Sequence, residues 1–446
     1  MFSYHWHHQA LSSRLSASQV WQALFGDLDT TVLLESPLGS SPHLARYSIL
    51  GGSPQQVYTP ALGEVLPCLE RLLQENSASE VVFPDLPFTG GWLGWLGYDL
   101  AWEIERLPYT KADVLPFPIA FWYAPQEFAV LDHQESQLYL AATAPDRLTQ
   151  LRDRLDQIQP LNFPNFSASP TSLDFFPNQP TYEQMVAQAQ EYIRAGDIFQ
   201  ANLSLRFQLS HPVSGWQLYH QLQRINPSPF ASYWRTPWGE VISASPERLL
   251  SLKSRQLQTR PIAGTRPRSL DPGQDLWLEQ ELLASHKDCA EHIMLLDLER
   301  NDLSKVSQWG SVQVDEFLIV ERYSHVMHLV SNVVSTLDPR FSPIQAIAAL
   351  FPGGTITGCP KVRCMEIIEQ LEPQRRSLFY GSCGYLDWRG HFDLNILIRT
   401  LLKSKDQIWG QVGAGIVADS QPLSEWQECL SKAKAQLWAL GIRVQC

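Results

Sequence analysis

The sequence predicts an α+β fold, and three observations carry that prediction. Strand-like runs cluster along the chain, and so do helix-like runs. A Pro-, Asn- and Ser-rich stretch from Gln159 to Gln184 shifts the composition and divides the chain into a region 1–158, a linker 159–180 and a longer region 181–442. Hydrophobic residues make up 44% of the 446 residues, enough for a substantial core in two or three ordinary domains or one large one.

The first region holds the strand-like runs TTVLLES, ARYSILGG, FAVLDH and QLYLAAT. In GGWLGWLGYDL, Gly90, Gly91, Gly94 and Gly97 stand among large apolar residues, a pattern of tight backbone packing. Past the linker, Thr181 and Gln184 have capping-box spacing. Met185, Val186, Ala189 and Ile193 then form a helical apolar stripe, and Gly196 is a fitting stop. In DIFQANLSLRF, Phe199, Ala201, Leu203, Leu205 and Phe207 alternate with Gln200, Asn202, Ser204 and Arg206, a strand with one apolar and one polar face. FASYWR, GEVISASP, SLKSRQLQTRPI, YGSCGYLDW, HFDLNILIRTLLK and IWGQVGAGIV read as further strands, and long helices fit residues 275–299 and 423–440.

The net charge is -12, and the pI is near 5.5, so nucleic acid is excluded as the main partner; phosphate backbones need a basic stripe. A small anionic substrate remains open where local arginines outweigh the global sign. Seven cysteines are scattered without a CxxC pair, which predicts free thiols in a reducing, cytoplasmic setting. The opening MFSYHWHHQALSSRL lacks the pattern of a signal peptide, and no run reaches membrane-spanning length. His5, His7 and His8 have no carboxylate partner nearby and read as incidental.

Two predicted helices carry acids at helical spacing: Asp288 with Glu291, and Glu425 with Glu428, followed by Lys432. Such charges ordinarily form solvated faces. The apolar neighbours of Glu291 argue for burial instead, and one carboxylate from each helix would suit Mg²⁺. Glu247, in ASPERLL, is either a surface-turn residue or a carboxyl aimed into a cleft as a general acid. His328 either orients a leaving hydroxyl or is an ordinary core histidine. FPGGTITGCPKVR, with Lys361 and Arg363, and VGAGIVADS, with Gly413 and Gly415, offer backbone donors for anions. Arg399 ends the predicted strand LNILIRT. QTRPIAGTRPR combines three arginines with Gly264 and Thr265, a set suited to carboxylates. Together these pieces predict a substrate with two carboxylates, a magnesium ion and a leaving hydroxyl.

SASPERLL, QTRPIAGTRPR, AEHIMLLDLERNDL, FPGGTITGCPKVRCMEIIEQLEPQRR, GSCGYLDW and GAGIVADSQPLSEWQECLSKAKAQL closely resemble the chorismate-utilising family, densely over about residues 180–440 and more loosely before them. The resemblance implies two large antiparallel sheets packed across each other as an orthogonal sandwich, with helices outside. It implies that Glu291 and Glu428 ligate Mg²⁺, supported by Asp288 and Glu425, and that the ion holds the ring carboxylate of chorismate. It implies that Glu247 is the acid for the C4 hydroxyl, that His328 orients that group, and that Gly264, Thr265, Arg399, Gly413, Gly415 and Lys432 bind the substrate. Glu35, Ser36, Arg46 and Tyr47, beside Leu34, fall where relatives form a tryptophan pocket.

Family members that use water resemble this chain but carry lysine at the position of Gln200; an amide is no general base near neutral pH. Ammonia is therefore the expected nucleophile, delivered by a separate glutamine amidotransferase subunit, since the chain lacks a G-x-C-x-G nucleophile segment. Ala263 resembles anthranilate synthases, whereas FQANLS and LEPQRRSLFYGSCGYL resemble aminodeoxychorismate synthases. The larger set of features favours 4-amino-4-deoxychorismate as product, with anthranilate the alternative. A non-catalytic chorismate-binding protein is a third reading.

Overall fold

Local sequence chemistry starts each element of the fold. In the computed structural model, which describes residues 6–36, 45–75, 82–158, 172–322 and 326–443, Asn178 rather than Thr181 caps the helix Gln179–Arg194. The Thr181 N–H donates to Asn178 Oδ1 at 3.2 Å, so the expected Thr181–Gln184 capping box is replaced by a start one turn earlier. Gly196, at φ +80°, follows the helix as anticipated.

The helix expected across residues 275–299 is two helices, Pro272–Ala284 and His286–Ser304. Ser285 separates them with φ -70° and ψ 103°, and its hydroxyl accepts from the Asp288 N–H. A serine that caps the next helix competes with continuation of the previous one. The last helix, Pro422–Ala439, matches its prediction closely.

The strands form two antiparallel sheets, of twelve and ten strands among the described residues. The first runs from His7–Ser12 at one edge through Thr31–Glu35, Phe230–Thr236, Gly239–Ser245, Thr400–Ser404 and Gln407–Ile416 to Gln200–Ser210 and Gly358–Cys359. The second runs from Ile262–Pro267 through Val326–Thr336, Arg248–Lys253 and Ser382–Asp387 to Gly91–Leu96 and Pro54–Tyr58. Early strands of the chain thus enter both sheets. Within the proline-rich stretch, Leu173–Phe176 pairs with Gln200–Ser210; residues 159–171 lie outside the described residues, as do His5 and Cys446.

Two predicted strands are interrupted. SLKSRQLQTRPI is a hairpin, Arg248–Lys253 with Gln256–Thr259, turning at Ser254 and Arg255, both at positive φ. HFDLNILIRTLLK is divided into Phe392–Asn395 of the second sheet and Thr400–Ser404 of the first.

One core fills the space between the sheets, with Trp92, Trp95, Trp122 and Trp234 fully buried. A second lies between the twelve-stranded sheet and helices bearing Trp21, Met185, Tyr219 and Ala433. Removal of one such indole costs on the order of 3–5 kcal/mol. Gly94 shows the tight packing its sequence context predicts: a Cβ there would stand 2.2 Å from Phe121 O. Gln200, Asn202, Ser204 and Arg206 are 2–9% exposed, so the polar face of their strand is buried rather than solvated, whereas Phe199 is 67% exposed. That buried polar face leads to the site. No helix among the described residues is long and apolar enough to cross a membrane.

Candidate active site

The chain changes sheets twice at one place. It leaves the first sheet after Ser245 and enters the second at Arg248; it returns between Asn395 and Thr400. The crossings are bonded to each other, with Ser245 Oγ donating to Ile396 O at 2.6 Å and the Ile396 N–H to Glu247 O at 3.0 Å. Glu247 and Arg399 therefore occupy neighbouring corners between the sheets. Glu247 is buried, not a surface-turn residue. Burial pushes its carboxyl up to about 8; Thr355 and the Ile262 N–H, 3.4 Å from Oε1, oppose the shift, and the charge of Glu299 adds to it. Arg399 adopts φ +50°, and its charge bears on both Glu247 and His328.

His328 is buried on Val326–Thr336, with Nδ1 2.9 Å from Thr265 Oγ1 and 3.3 Å from Gly264 O. Burial, with Arg399 nearby, lowers its pKa to about 3, so the imidazole is neutral at physiological pH. The ladder shifts register between Ala263 and Thr265, where Gly264 takes φ +65°. That bulge sets exposed Thr265 against His328 and leaves Ala263 buried.

The three arginines of QTRPIAGTRPR are occupied by protein carboxylates. Arg260 pairs with Glu316 and Glu321, Arg266 with Glu281 and with Asp288 at 2.9 Å, and Arg268 with Asp275 at 2.9 Å. They brace the segment, while Gly264 and Thr265 face the site. Lys361 and Arg363 are likewise engaged: Lys361 with Asp302 at 2.5 Å and Leu350 O at 2.7 Å, Arg363 with Asp197 and Glu366. The anion-binding expectation for those two side chains gives way to internal pairing.

Across the site, Gln200 Nε2 donates to Glu291 Oε1 at 2.8 Å. Burial raises the Glu291 pKa, and Glu428 adds to the shift against Gln200, Lys432 and Lys287. Lys432 bridges Glu428 Oε1 at 2.8 Å and Gly413 O at 2.9 Å. Glu425 is buried and raised by burial, and its Oε2 has no hydrogen-bond partner among the described residues. Among the described residues no three His, Cys, Asp or Glu side chains converge as a ready metal site. The donor chemistry nevertheless fits a hard divalent cation. Glu291 and Glu428 repel each other, an orphaned carboxylate oxygen lies nearby, and Mg²⁺ needs only one or two carboxylates when substrate and water complete its shell.

Gly415 permits this geometry. A Cβ there would stand 2.3 Å from Gln200 Nε2 and 3.1 Å from Glu291 Oε1. Gly415→Ala is expected to push the amide off Glu291 and reduce kcat/KM at least about tenfold with little change in melting temperature. Steady-state kinetics and thermal unfolding check this, and unchanged kinetics refute it.

Sequence reasoning missed two supports, and one contact of a loop it had named. Glu299, buried on His286–Ser304, accepts from the Gly354 N–H and Thr259 Oγ1, each at 3.2 Å. Its signal is a carboxylate inside the apolar run IMLLDLERNDL. The loop bearing Gly354 and Thr355 belongs to FPGGTITGCPKVR, singled out for its backbone donors, and the unforeseen part is that the Gly354 N–H serves Glu299. The second missed support is the buried pair Glu372–Arg376: Arg376 donates to Ile356 O and Asn202 O, and Glu372 accepts from Ser204. It ties that loop to the Gln200 strand.

Leu34, Glu35, Ser36, Arg46 and Tyr47 line a separate cavity of about 390 Å³ between the sheets, with Arg248 and Asn395 on its wall. Glu35 accepts from Tyr219 Oη at 2.5 Å, and Arg46 pairs with Asp132.

Two antiparallel sheets with a buried, protonated carboxyl and a cluster of acids where the chain crosses between them mark the class of protein to which the chain is similar. The family model for chorismate binding enzymes matches residues 40–437, and the chain belongs to that family. It is 54% identical over 451 residues to the anthranilate synthase component I-like protein of Synechocystis sp., covering 98% of this chain and 92% of that one. It is 43% identical over 372 residues to aminodeoxychorismate synthase component 1 of Bacillus subtilis, covering 81% and 78% respectively. The crystal structure of anthranilate synthase component I from Streptococcus pneumoniae superposes with a TM-score of 0.79 at 32% identity, covering 96% of this chain and 99% of that one. The two-sheet fold expected from the sequence is the observed one.

Proposed function

We propose that the protein aminates chorismate, with ammonia from a glutamine amidotransferase subunit, to give 4-amino-4-deoxychorismate and water. The observation that supports ammonia over water as the nucleophile is the Gln200–Glu291 hydrogen bond: an amide, with no basic proton acceptor, stands where water-using relatives carry lysine. Glu247 keeps its proton near neutrality and gives it to the departing C4 hydroxyl, which leaves as water. Neutral His328, held by Thr265, orients that hydroxyl. Backbone groups at Gly413 and Gly415, together with Arg399 and Lys432, receive the carboxylates. Glu291 and Glu428, supported by Asp288 and Glu425, would hold Mg²⁺, which when bound supplies positive charge for the ring carboxylate.

Anthranilate is the second reading, favoured by Ala263 and by the 54% identical relative. Both reactions expel the same hydroxyl; they differ in where nitrogen enters. We also read the 390 Å³ cavity as an amino-acid pocket, since its volume suits tryptophan and both charge signs line it.

The deciding experiment incubates the protein with chorismate, Mg²⁺ and ammonium salt. Loss of chorismate absorbance, with 4-aminobenzoate appearing only after addition of a lyase, is expected. Direct anthranilate fluorescence selects the second reading. Isochorismate formed without ammonium overturns amination, and no turnover under any condition supports a binding protein.

A further inference from the structure

Glu299 is as deeply buried as Glu247, and it contacts both segments that enclose Glu247. One oxygen accepts from the Gly354 N–H at 3.2 Å, and the next residue in that loop, Thr355, bears on Glu247. The other lies 3.2 Å from Thr259 Oγ1, whose single proton is shared between this carboxylate and Leu249 O at 2.9 Å, two residues beyond Glu247. Glu299 is 4% exposed, and a Cβ on Gly354 would stand 3.1 Å from its Oε1, so the loop lies directly against the carboxylate.

We propose that Glu299 is a positioning residue that keeps Glu247 loaded with its proton, by clamping the backbone on either side of it and by placing a second carboxylate behind it. The inference rests on the acid role given to Glu247 above.

The charges around the pair are few. Glu247 is met by Glu299, by Arg399 and by the neutral groups of Thr355 and Ile262. Glu299 is met by Lys361, Asp302, Gly354 and Thr259, and Lys361 is itself shared with Asp302 at 2.5 Å. Burial brings Glu299 up to about 7, below the value of about 8 for Glu247. The two carboxyls are coupled, so a charge on Glu299 opposes ionisation of Glu247 and the pair releases its protons in separate steps. The acid therefore survives into the alkaline range despite Arg399, whose charge works against it. Without Glu299, Arg399 acts on Glu247 unopposed.

The test compares kcat/KM for chorismate against pH in the parent, Glu299→Gln and Glu299→Asp, with Mg²⁺ and free ammonia held constant. In Glu299→Gln the alkaline limb is expected to move down by about one pH unit, an approximately tenfold loss on that limb with little change on the neutral plateau. Glu299→Asp keeps the charge and is expected to keep the limb near its parental place. Where a variant turns over too slowly, infrared difference spectra of the protonated Glu247 carbonyl, identified by its absence in Glu247→Gln, follow the same titration without activity. An unmoved limb or carbonyl titration in Glu299→Gln, or the same displacement in Glu299→Asp, overturns the inference. Those results leave the acid role of Glu247 intact, and full activity of Glu247→Gln removes that role.

Discussion

Glu247→Gln is expected to lower kcat by about three orders of magnitude while the protein stays folded. The substitution removes one proton and almost no volume, and a lost general acid ordinarily costs 10²–10⁴ in rate, roughly 3–5 kcal/mol of barrier. The Ile262 N–H still finds a carbonyl oxygen on the glutamine, so the sheet crossing keeps its bond. The same variant carries a stability signature of definite sign. The folded protein holds the Glu247 proton up to about pH 8, whereas an unfolded chain releases it near the ordinary value of 4.5. The stability tied to that proton is complete below the unfolded pKa and is lost as pH rises through the folded one. Glutamine has no proton to lose. At alkaline pH the variant should therefore outlast the parent by a few kcal/mol at most, a difference that shrinks toward mild acid. Denaturant melts at mildly acidic and alkaline pH measure this. Parental activity in the variant, or an identical fall in stability with pH for both proteins, refutes the assignment.

Glu291→Ala carries the next largest expected effect. The change deletes a carboxylate that shares its surroundings with Glu428 and removes the acceptor of Gln200 Nε2. If Mg²⁺ sits between these helices, losing one of its few protein ligands removes several kcal/mol of charge stabilisation, about a thousandfold in kcat/KM. Calorimetric titration with Mg²⁺ in the presence of chorismate gives a second readout, with affinity expected to fall at least about tenfold. Chelator-resistant activity in the parent, or unchanged Mg²⁺ affinity in Glu291→Ala, counts against the metal role. The paired assignment of Lys432 adds a check on sign. With Glu291 gone, Glu428 still holds Lys432 at 2.8 Å, so loss of metal is not explained by collapse of that helix.

The strands were readable because a sheet residue betrays its face every second position. The alternation from Gln200 to Phe207 marks both the strand and the side that bears chemistry. What that alternation hides is the fate of the polar side, since solvent and a buried site look alike in a pattern of two. The helix ends were readable where the cap was unambiguous and misplaced where Asn178 and Ser285 competed with plausible neighbours. Among candidate site residues, Glu247, His328, Gln200, Thr265 and the acids of the two helices could be named from motifs. Glu299 and the Glu372–Arg376 pair could not, because their roles depend on contacts between segments 40 or more residues apart.

By itself the sequence determined the α+β character, the strand-rich body, the acidic helices and the membership of a family that binds chorismate, because periodicity, capping and motif order are local properties. The tertiary structure alone decided which charges are spent and which remain. Arg260, Arg266, Arg268, Lys361 and Arg363 are neutralised by neighbours brought in by folding, while Glu247 and Glu299 are enclosed at a sheet crossing with little to solvate them. A charge's chemistry follows from the dielectric and the partners around it, and both are products of three-dimensional packing that no linear spacing contains.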